Sequence, residues 1–342
     1  MASTNPSTYA DHGSPEGDPD AGRGRLGVGR AHGKVILLGE HAVVYGAPAL
    51  AMPVSQLTAT VTVRRCSCPD GSADQLSFAV AGSGAAPVTP LATDGLRRLV
   101  AEFKEKTGAV GRVCAGVLVD CAIPQGRGLG SSAACARAAV LAFAELFDRR
   151  LDAKEVFDLV QASETLAHGR SSGIDALATG ATYPILFRAG TARELPSLDG
   201  VCVIADSGVG GSTKDAVEMV RRKFERNADA QAEFVRRVSS LARGAADDLA
   251  HGRSGDFGAR LTENHRLLRD LGLSTDRIDA LVDAALAAGG LGAKISGGGL
   301  GGCMITLAGE PRQAQDIVRR LHEAGAAQTW VVPMGRFARH GD

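Results

Sequence analysis

Pro124-Gln125-Gly126-Arg127-Gly128-Leu129-Gly130-Ser131-Ser132-Ala133-Ala134 is the stretch on which the reading of this chain turns. Glycine stands at every second position from 126 to 130, and two serines open a run of Ala, Cys, Leu and Phe that reads as a helix to about Phe147. Alternate glycines let backbone N–H groups turn toward one point and keep side chains out of a ligand's approach. A helix starting directly afterwards adds unpaired N–H groups and the positive end of its dipole. The segment is therefore suited to an anion. Pro124, Gly126, Gly128, Leu129, Gly130, Ser131 and Ser132 are the candidate residues of the cradle, with the serine hydroxyls able to bond a phosphate or coordinate magnesium. No Gly-Lys-Ser/Thr follows the glycines, so this is not a Walker A loop, and Ser131 stands where a dinucleotide fingerprint needs its third glycine. A plain helix N-cap after a flexible turn has the same local appearance, so the wider context has to decide.

On the N-terminal side, Lys34 to Leu38 is a short buried-type run interrupted by Gly39-Glu40-His41, and Leu57 to Val63 alternates apolar residues with threonine. Both read as strands. Val117 to Ile123 is another apolar run, leading into the glycine loop. On the C-terminal side, Asp152 and Glu155 form a capping box, with Leu151 and Val156 as its staple, for a helix running to about His168. A polar loop, 170–173, then reaches Ile174-Asp175. Beyond Gly200 come a strand at Val201 to Ala205, helical patterns from Ser212 to about Ala288, and a second glycine-rich loop from Lys294 to Gly302. The chain ends strand (Cys303 to Leu307), helix (Pro311 to Ala324), strand (Gln328 to Val332). The pattern predicts an α+β protein with helices on one side of a largely antiparallel sheet and two lobes meeting near 190–200.

The chain has 342 residues, 44% of them hydrophobic, enough for a substantial core in two lobes. With 38 basic and 38 acidic residues and no block of like charge, nothing points to a nucleic acid or an anionic membrane. No apolar run approaches a membrane span. Residues 1–22, rich in Ser, Pro, Gly and Asp, read as a disordered tail and not as a signal peptide. The seven cysteines, at 66, 68, 114, 121, 135, 202 and 303, have neither zinc spacing nor an even count. Cys66 and Cys68, the close pair, read as two small hydrophobes in a reducing cytosol.

Three segments together resemble the GHMP kinase family, named for galactose, homoserine, mevalonate and phosphomevalonate kinases. They are Gly33-Lys34-Val35-Ile36-Leu37-Leu38-Gly39-Glu40-His41-Ala42-Val43-Val44-Tyr45-Gly46, the Gly-Leu-Gly-Ser-Ser-Ala-Ala core at 128–134, and Lys294-Ile295-Ser296-Gly297-Gly298-Gly299-Leu300-Gly301-Gly302-Cys303. They stand in family order, and the resemblance covers nearly everything after the tail. The continuous Gly-Glu-His-Ala-Val-Val-Tyr-Gly at 39–46 is most like the mevalonate kinases of the bacterial kind, as is the pattern from His168-Gly169 to Ser172-Gly173-Ile174-Asp175. Asn264 and the run Leu267 to Gly272 fit a family helix beside the site. His32 in place of a Pro, Ala176 after Asp175, and Leu300 within the glycine run depart from the family pattern.

The resemblance implies a two-lobed GHMP kinase fold: a ribosomal protein S5 domain 2-like, ATP-binding N-terminal lobe over 23–195 and a ferredoxin-like C-terminal lobe over 196–342. It implies phosphoryl transfer from ATP, with Mg2+, onto the hydroxyl of mevalonate, in a cytoplasmic homodimer. Asp175 resembles the catalytic base and Lys34 its charged partner, Ser132 and Glu164 the magnesium ligands, and Glu40 and His41 the residues that bind the acceptor's hydroxyls. An ammonium beside the base offsets negative charge developing on the attacking oxygen, and a loose transition state leaves most of the catalysis to positioning and charge neutralisation. Taken alone, Glu164 is also compatible with a solvated helix face and His41 with a satisfied core histidine. Ser212-Thr213-Lys214, which resembles a family segment near the phosphates, is also a plain helix cap. Whether Asp175 takes the proton or orients the alcohol stays open at this level. Another small-molecule kinase of the family and a silent ATP-binding sensor are the alternatives. Lys34 and His41 argue against the family's decarboxylases and phosphomevalonate kinases respectively, and the retention of Asp175 and Glu164 argues against the sensor.

Overall fold

The computed structural model describes residues 26–66, 75–81, 90–108, 113–168 and 171–335. The segment expected to be a disordered tail, Cys68, and Gly169-Arg170 of the quoted pattern lie outside them.

Two sheets form, one in each of the two lobes that the resemblance implies. The first is six-stranded and holds β1 (Leu26–Leu38), β2 (Ala49–Arg65), β3 (Gln75–Ala81), β4 (Cys114–Cys121), β5 (Ile185–Arg188) and β6 (Thr191–Glu194). Strand β2 is its spine: β1 runs antiparallel along one edge, while β4 and β5 pair with different halves of the other. Helix α1 (Pro90–Thr107) lies in the crossover between β3 and β4, which pair in parallel. Helices α2 (Ser131–Leu146), α3 (Ala153–His168) and α4 (Ile174–Ala178) follow.

After residue 199 the chain builds a four-stranded antiparallel sheet. Its elements are β7 (Gly200–Asp206), α5 (Thr213–Glu225), α6 (Ala228–His251), α7 (Ser254–Asp270), α8 (Asp276–Ala287), β8 (Gly292–Ser296), β9 (Cys303–Ala308), α9 (Pro311–Glu323) and β10 (Gln328–Met334). The spatial order β10-β7-β9-β8 is that of a ferredoxin-like unit, with four helices in place of one between its first two strands. Lys294 to Ser296, read from sequence as loop, are the end of β8, so the second glycine loop begins at Gly297.

Sequence accounts for the local elements directly. The capping box forms: Asp152 N–H donates to Glu155 Oε2 at 2.8 Å, and Glu155 N–H to Asp152 Oδ1 at 2.8 Å. Strand β1 alternates buried and accessible positions to His32 and is buried from Gly33 to Leu38. The alanines of α2 are small because the helix backbone rests on β1. A Cβ at Gly29 would lie 1.9 Å from the Ala138 carbonyl oxygen, and one at Gly27 2.0 Å from that of Ala142. Backbone on both sides leaves no side chain to yield. Gly29→Ala is therefore expected to destabilise the fold by about 2–3 kcal/mol, read as a fall in the urea midpoint at unchanged slope; a midpoint that stays put would show that helix and strand can part.

Cys114, at the head of β4, is disulfide-bonded, although the odd count and scattered spacing of the cysteines do not fit a disulfide framework. Cys66, Cys121, Cys135, Cys202 and Cys303 are free. Among the described residues no helix is long and apolar enough to cross a membrane.

Candidate active site

Where β1, the first glycine loop, α2, α3 and α4 converge, Lys34 meets Asp175 and Ser132 meets Glu164. Glycines 126, 128 and 130 all take left-handed φ, at 67°, 78° and 77°, so the alternation seen in sequence is a conformational requirement. Gly130 is the N-cap of α2 and offers no side chain to its first turn. Ser212, Asn227 and Thr275, by contrast, each cap their own helices through side-chain oxygens. Plain N-capping therefore accounts for Ser212. The first-turn amides of α2 carry no side-chain cap, the condition for receiving an anion.

Lys34 reaches this point from a shifted register in β1: the pairing with β2 jumps between His32 and Gly33. Its backbone N–H donates to Leu129 O at 3.0 Å. Its ammonium, almost fully buried, donates to Gly128 O at 3.1 Å and lies 3.0 Å from Asp175 Oδ2. One side chain thus joins the cradle to the candidate base. A Cβ on Gly130 would stand 2.9 Å from Lys34 Cγ, so the loop's glycine also makes room for the lysine stem. Asp175 sits in the first turn of α4 behind Gly173, its side chain 30% exposed and accessible to a reactant.

Ser132, in the first turn of α2, donates its hydroxyl to Glu164 Oε1 at 2.6 Å. Glu164 is only 4% exposed, which excludes the solvated-face reading. A carboxylate and a hydroxyl side by side next to an anion cradle are a hard oxygen donor set, the kind Mg2+ takes while keeping waters and phosphate oxygens as its remaining ligands. The residues present fit that ion. Among the described residues no cluster of three or more His, Cys, Asp or Glu could hold a metal on its own.

Glu40 and His41 are both buried, and each has a partner inside the protein. Glu40 pairs with the fully buried ammonium of Lys294, and Asn264 Nδ2 donates to its other oxygen at 3.3 Å. Burial pushes the Lys294 ammonium below its ordinary range, against the opposing pull of Glu40. Asn264 Oδ1 is buried with no hydrogen-bond partner among the described residues.

His41 Nε2 lies 2.7 Å from Gly298 O, and only an N–H can satisfy a carbonyl there. Burial lowers the imidazole's affinity for a second proton, with the Gly298 bond and Glu40 opposing. The ring is thus neutral, Nε2 carries the proton, and Nδ1 is an acceptor. His41 itself has φ 59°, a left-handed backbone that few non-glycine residues adopt.

Three residues quoted within motifs have contacts that the sequence does not reveal. Lys294 was quoted only as motif, yet its charge holds Glu40. Ser296 bridges the lobes, donating Oγ–H to Ile36 O at 3.1 Å and accepting from Ile36 N–H at 3.0 Å. Thr213 packs on the second glycine loop, 2.7 Å from where a Gly298 Cβ would be. Leu300, the departure from the glycine run, keeps a glycine-like φ of 60°, a strain of about 1–2 kcal/mol that its N–H bond to Leu273 O helps to hold.

Comparison with known proteins completes the picture. Residues 95–182 match the model of the GHMP kinases N terminal domain and residues 245–327 that of the GHMP kinases C terminal domain. The mevalonate kinase of Pyrococcus abyssi is 31% identical over 321 residues, 88% of this chain and 93% of that protein. The crystal structure of mevalonate kinase from methicillin-resistant Staphylococcus aureus MRSA252 is 31% identical, with a TM-score of 0.68 over 91% of this chain and 99% of that one. The L. major mevalonate kinase crystallised with R-mevalonate shares the fold, with a TM-score of 0.75 over 90% of this chain and 96% of that one at 24% identity.

Proposed function

This chain belongs to the GHMP kinase family, and from that membership we propose a mevalonate kinase, transferring the γ-phosphoryl group of ATP to the 5-hydroxyl of mevalonate in isoprenoid synthesis. The observation that carries the site assignment is the 3.0 Å ion pair between Lys34 and Asp175, tied at 3.1 Å through Lys34 to the backbone of the phosphate cradle.

Each group has a physical task. The cradle amides of Gly126, Gly128, Leu129, Gly130, Ser131 and Ser132, with the N-terminus of α2, receive the phosphates and bring the γ-phosphoryl group toward Lys34. Asp175 hydrogen-bonds the acceptor hydroxyl and takes its proton as the oxygen attacks. Lys34 offsets the negative charge that gathers between acceptor and γ-phosphate. In a loose transition state the proton leaves late, so a carboxylate in an ion pair is base enough. Ser132 and Glu164 would hold Mg2+, which, when bound, neutralises phosphate charge. Nδ1 of His41 accepts a hydrogen bond from a substrate hydroxyl, and Glu40, fixed by Lys294 and Asn264, lines the same side. The burial of Lys34 and Leu129 keeps water from the side of the cradle that faces the protein.

The cytoplasm is the compartment that fits an ATP-consuming metabolic enzyme, and a homodimer rests on the family resemblance alone. The test is magnesium-dependent ADP release from ATP, with mevalonate, phosphomevalonate, diphosphomevalonate, homoserine and galactose run in parallel. Turnover on mevalonate alone is expected; turnover on another acceptor would keep the chemistry and overturn the substrate.

The metal assignment has its own test. Glu164→Gln removes a charge from the donor pair while keeping its shape. The Mg2+ concentration giving half-maximal rate should rise roughly tenfold or more, and calorimetric binding of a non-hydrolysable ATP analogue should lose its magnesium dependence in parallel. An unchanged magnesium requirement would remove Glu164 from the metal site.

A further inference from the structure

The first glycine loop contains one charged side chain, Arg127, and its guanidinium is held by the other lobe. Arg127 Nε donates to Asp206 Oδ2 at 2.9 Å, and its Nη2 to Gly208 O at 3.3 Å. Asp206, the last residue of β7, has a side chain only 9% exposed, and its other oxygen accepts the Gly208 N–H at 2.8 Å. Backbone contacts follow the same line: Gly211 N–H donates to Gly126 O at 3.2 Å, and a Cβ on Gly302 would stand 3.0 Å from Arg127 O. A loop of left-handed glycines has little stiffness of its own, so what braces it from outside fixes where its amides point.

We infer that Arg127 and Asp206 form a positioning latch between the lobes, which holds the phosphate cradle in its ATP-receiving shape without Arg127 itself gripping the phosphates. The charge-assisted bonds engage a carboxylate already anchored at a strand end, so the loop is referenced to the rigid second sheet. The inference rests on the reading of this loop as the ATP site.

Its test is calorimetric binding of a non-hydrolysable ATP analogue to the full chain, with steady-state kinetics, for Arg127→Met, Asp206→Asn and the double variant. A latch predicts that each single variant raises the analogue's Kd and the KM for ATP roughly tenfold, with kcat at saturating ATP and the KM for the acceptor within about twofold. The double variant should be no worse than either single one, since both remove the same contact. Arg127→Lys, which keeps a cation within reach of Asp206, should recover part of the affinity; equal losses in Lys and Met variants would mark mere disruption of the loop and overturn the latch.

Asp206→Asn separates the latch from direct phosphate binding. It keeps the guanidinium but replaces the charge-assisted bond that holds it by a weaker neutral one, so an arginine acting on the phosphates would leave analogue affinity unchanged or improved. That outcome, or additive losses in the double variant, also overturns the latch. A wild-type chain that does not bind the analogue overturns the reading of the loop instead, whereas variants that bind as well as wild type overturn the latch alone.

Discussion

Asp175→Asn is expected to lower kcat by about 10²–10⁴ while the affinity for ATP stays within a small factor of wild type. Asparagine has nearly the shape of aspartate, and its amide oxygen can still accept from the Lys34 ammonium, which lies 3.0 Å from Asp175 Oδ2. The cradle, held through the Gly128 carbonyl and Leu129, keeps its shape. What disappears is the negative charge and the capacity to take a proton, both needed only as the acceptor oxygen attacks. The loss therefore falls on kcat, measured as initial rates under saturating ATP and mevalonate. A variant that retains most of its kcat would show that Asp175 orients the alcohol through a hydrogen bond an amide can replace.

Lys294→Met is expected to cost about 3–5 kcal/mol of stability, because it leaves the carboxylate of Glu40 buried with only the Asn264 amide for company. Lys294 is fully buried, and its ammonium also donates to the carbonyl of Ile295 and, at 3.4 Å, to that of Ile36. Desolvating two ions is expensive, so the pair itself adds little over an apolar replacement of both; the large penalty attaches to breaking it. The double variant Glu40→Gln/Lys294→Met should therefore recover much of what the single variant loses. Urea denaturation of the four proteins in the cycle gives the coupling directly. A single variant within about 0.5 kcal/mol of wild type would mean that Glu40 is not held as a buried charge.

These two expectations also mark what the sequence could and could not reveal. The capping box at Asp152 and Glu155, the buried run from Gly33 to Leu38 and the glycine loop ahead of α2 are encoded within a few residues, so spacing and residue type suffice to find them. Family resemblance supplied Asp175, Lys34, Ser132 and Glu164, and the structure brings these together around the cradle. Lys294 and Asp206 could not be found that way. Their meaning lies in partners 254 and 79 residues away, and no local periodicity encodes such a pairing. The order of the strands within each sheet was hidden for the same reason, since strand runs do not announce their neighbours. The hairpin of β5 and β6 gave no signal: each strand has four residues, and β6 is exposed throughout. Glu40 and His41 were candidates by motif, but their engagement with Lys294 and Gly298, which fixes the tautomer that makes His41 an acceptor, was not legible.

The distance along the chain between Glu40 and Lys294 has a consequence for biosynthesis. The two are separated by 254 residues, so at a ribosomal rate of 5–20 residues per second the carboxylate waits roughly 13–50 s for its counter-ion to be made. During that interval a nascent N-terminal lobe carries an acidic group in a place meant to be dry, and the Ile36 backbone has neither Ser296 nor Lys294 to satisfy it. The polar pairing of the first lobe is complete only after the start of the last glycine loop has left the exit tunnel.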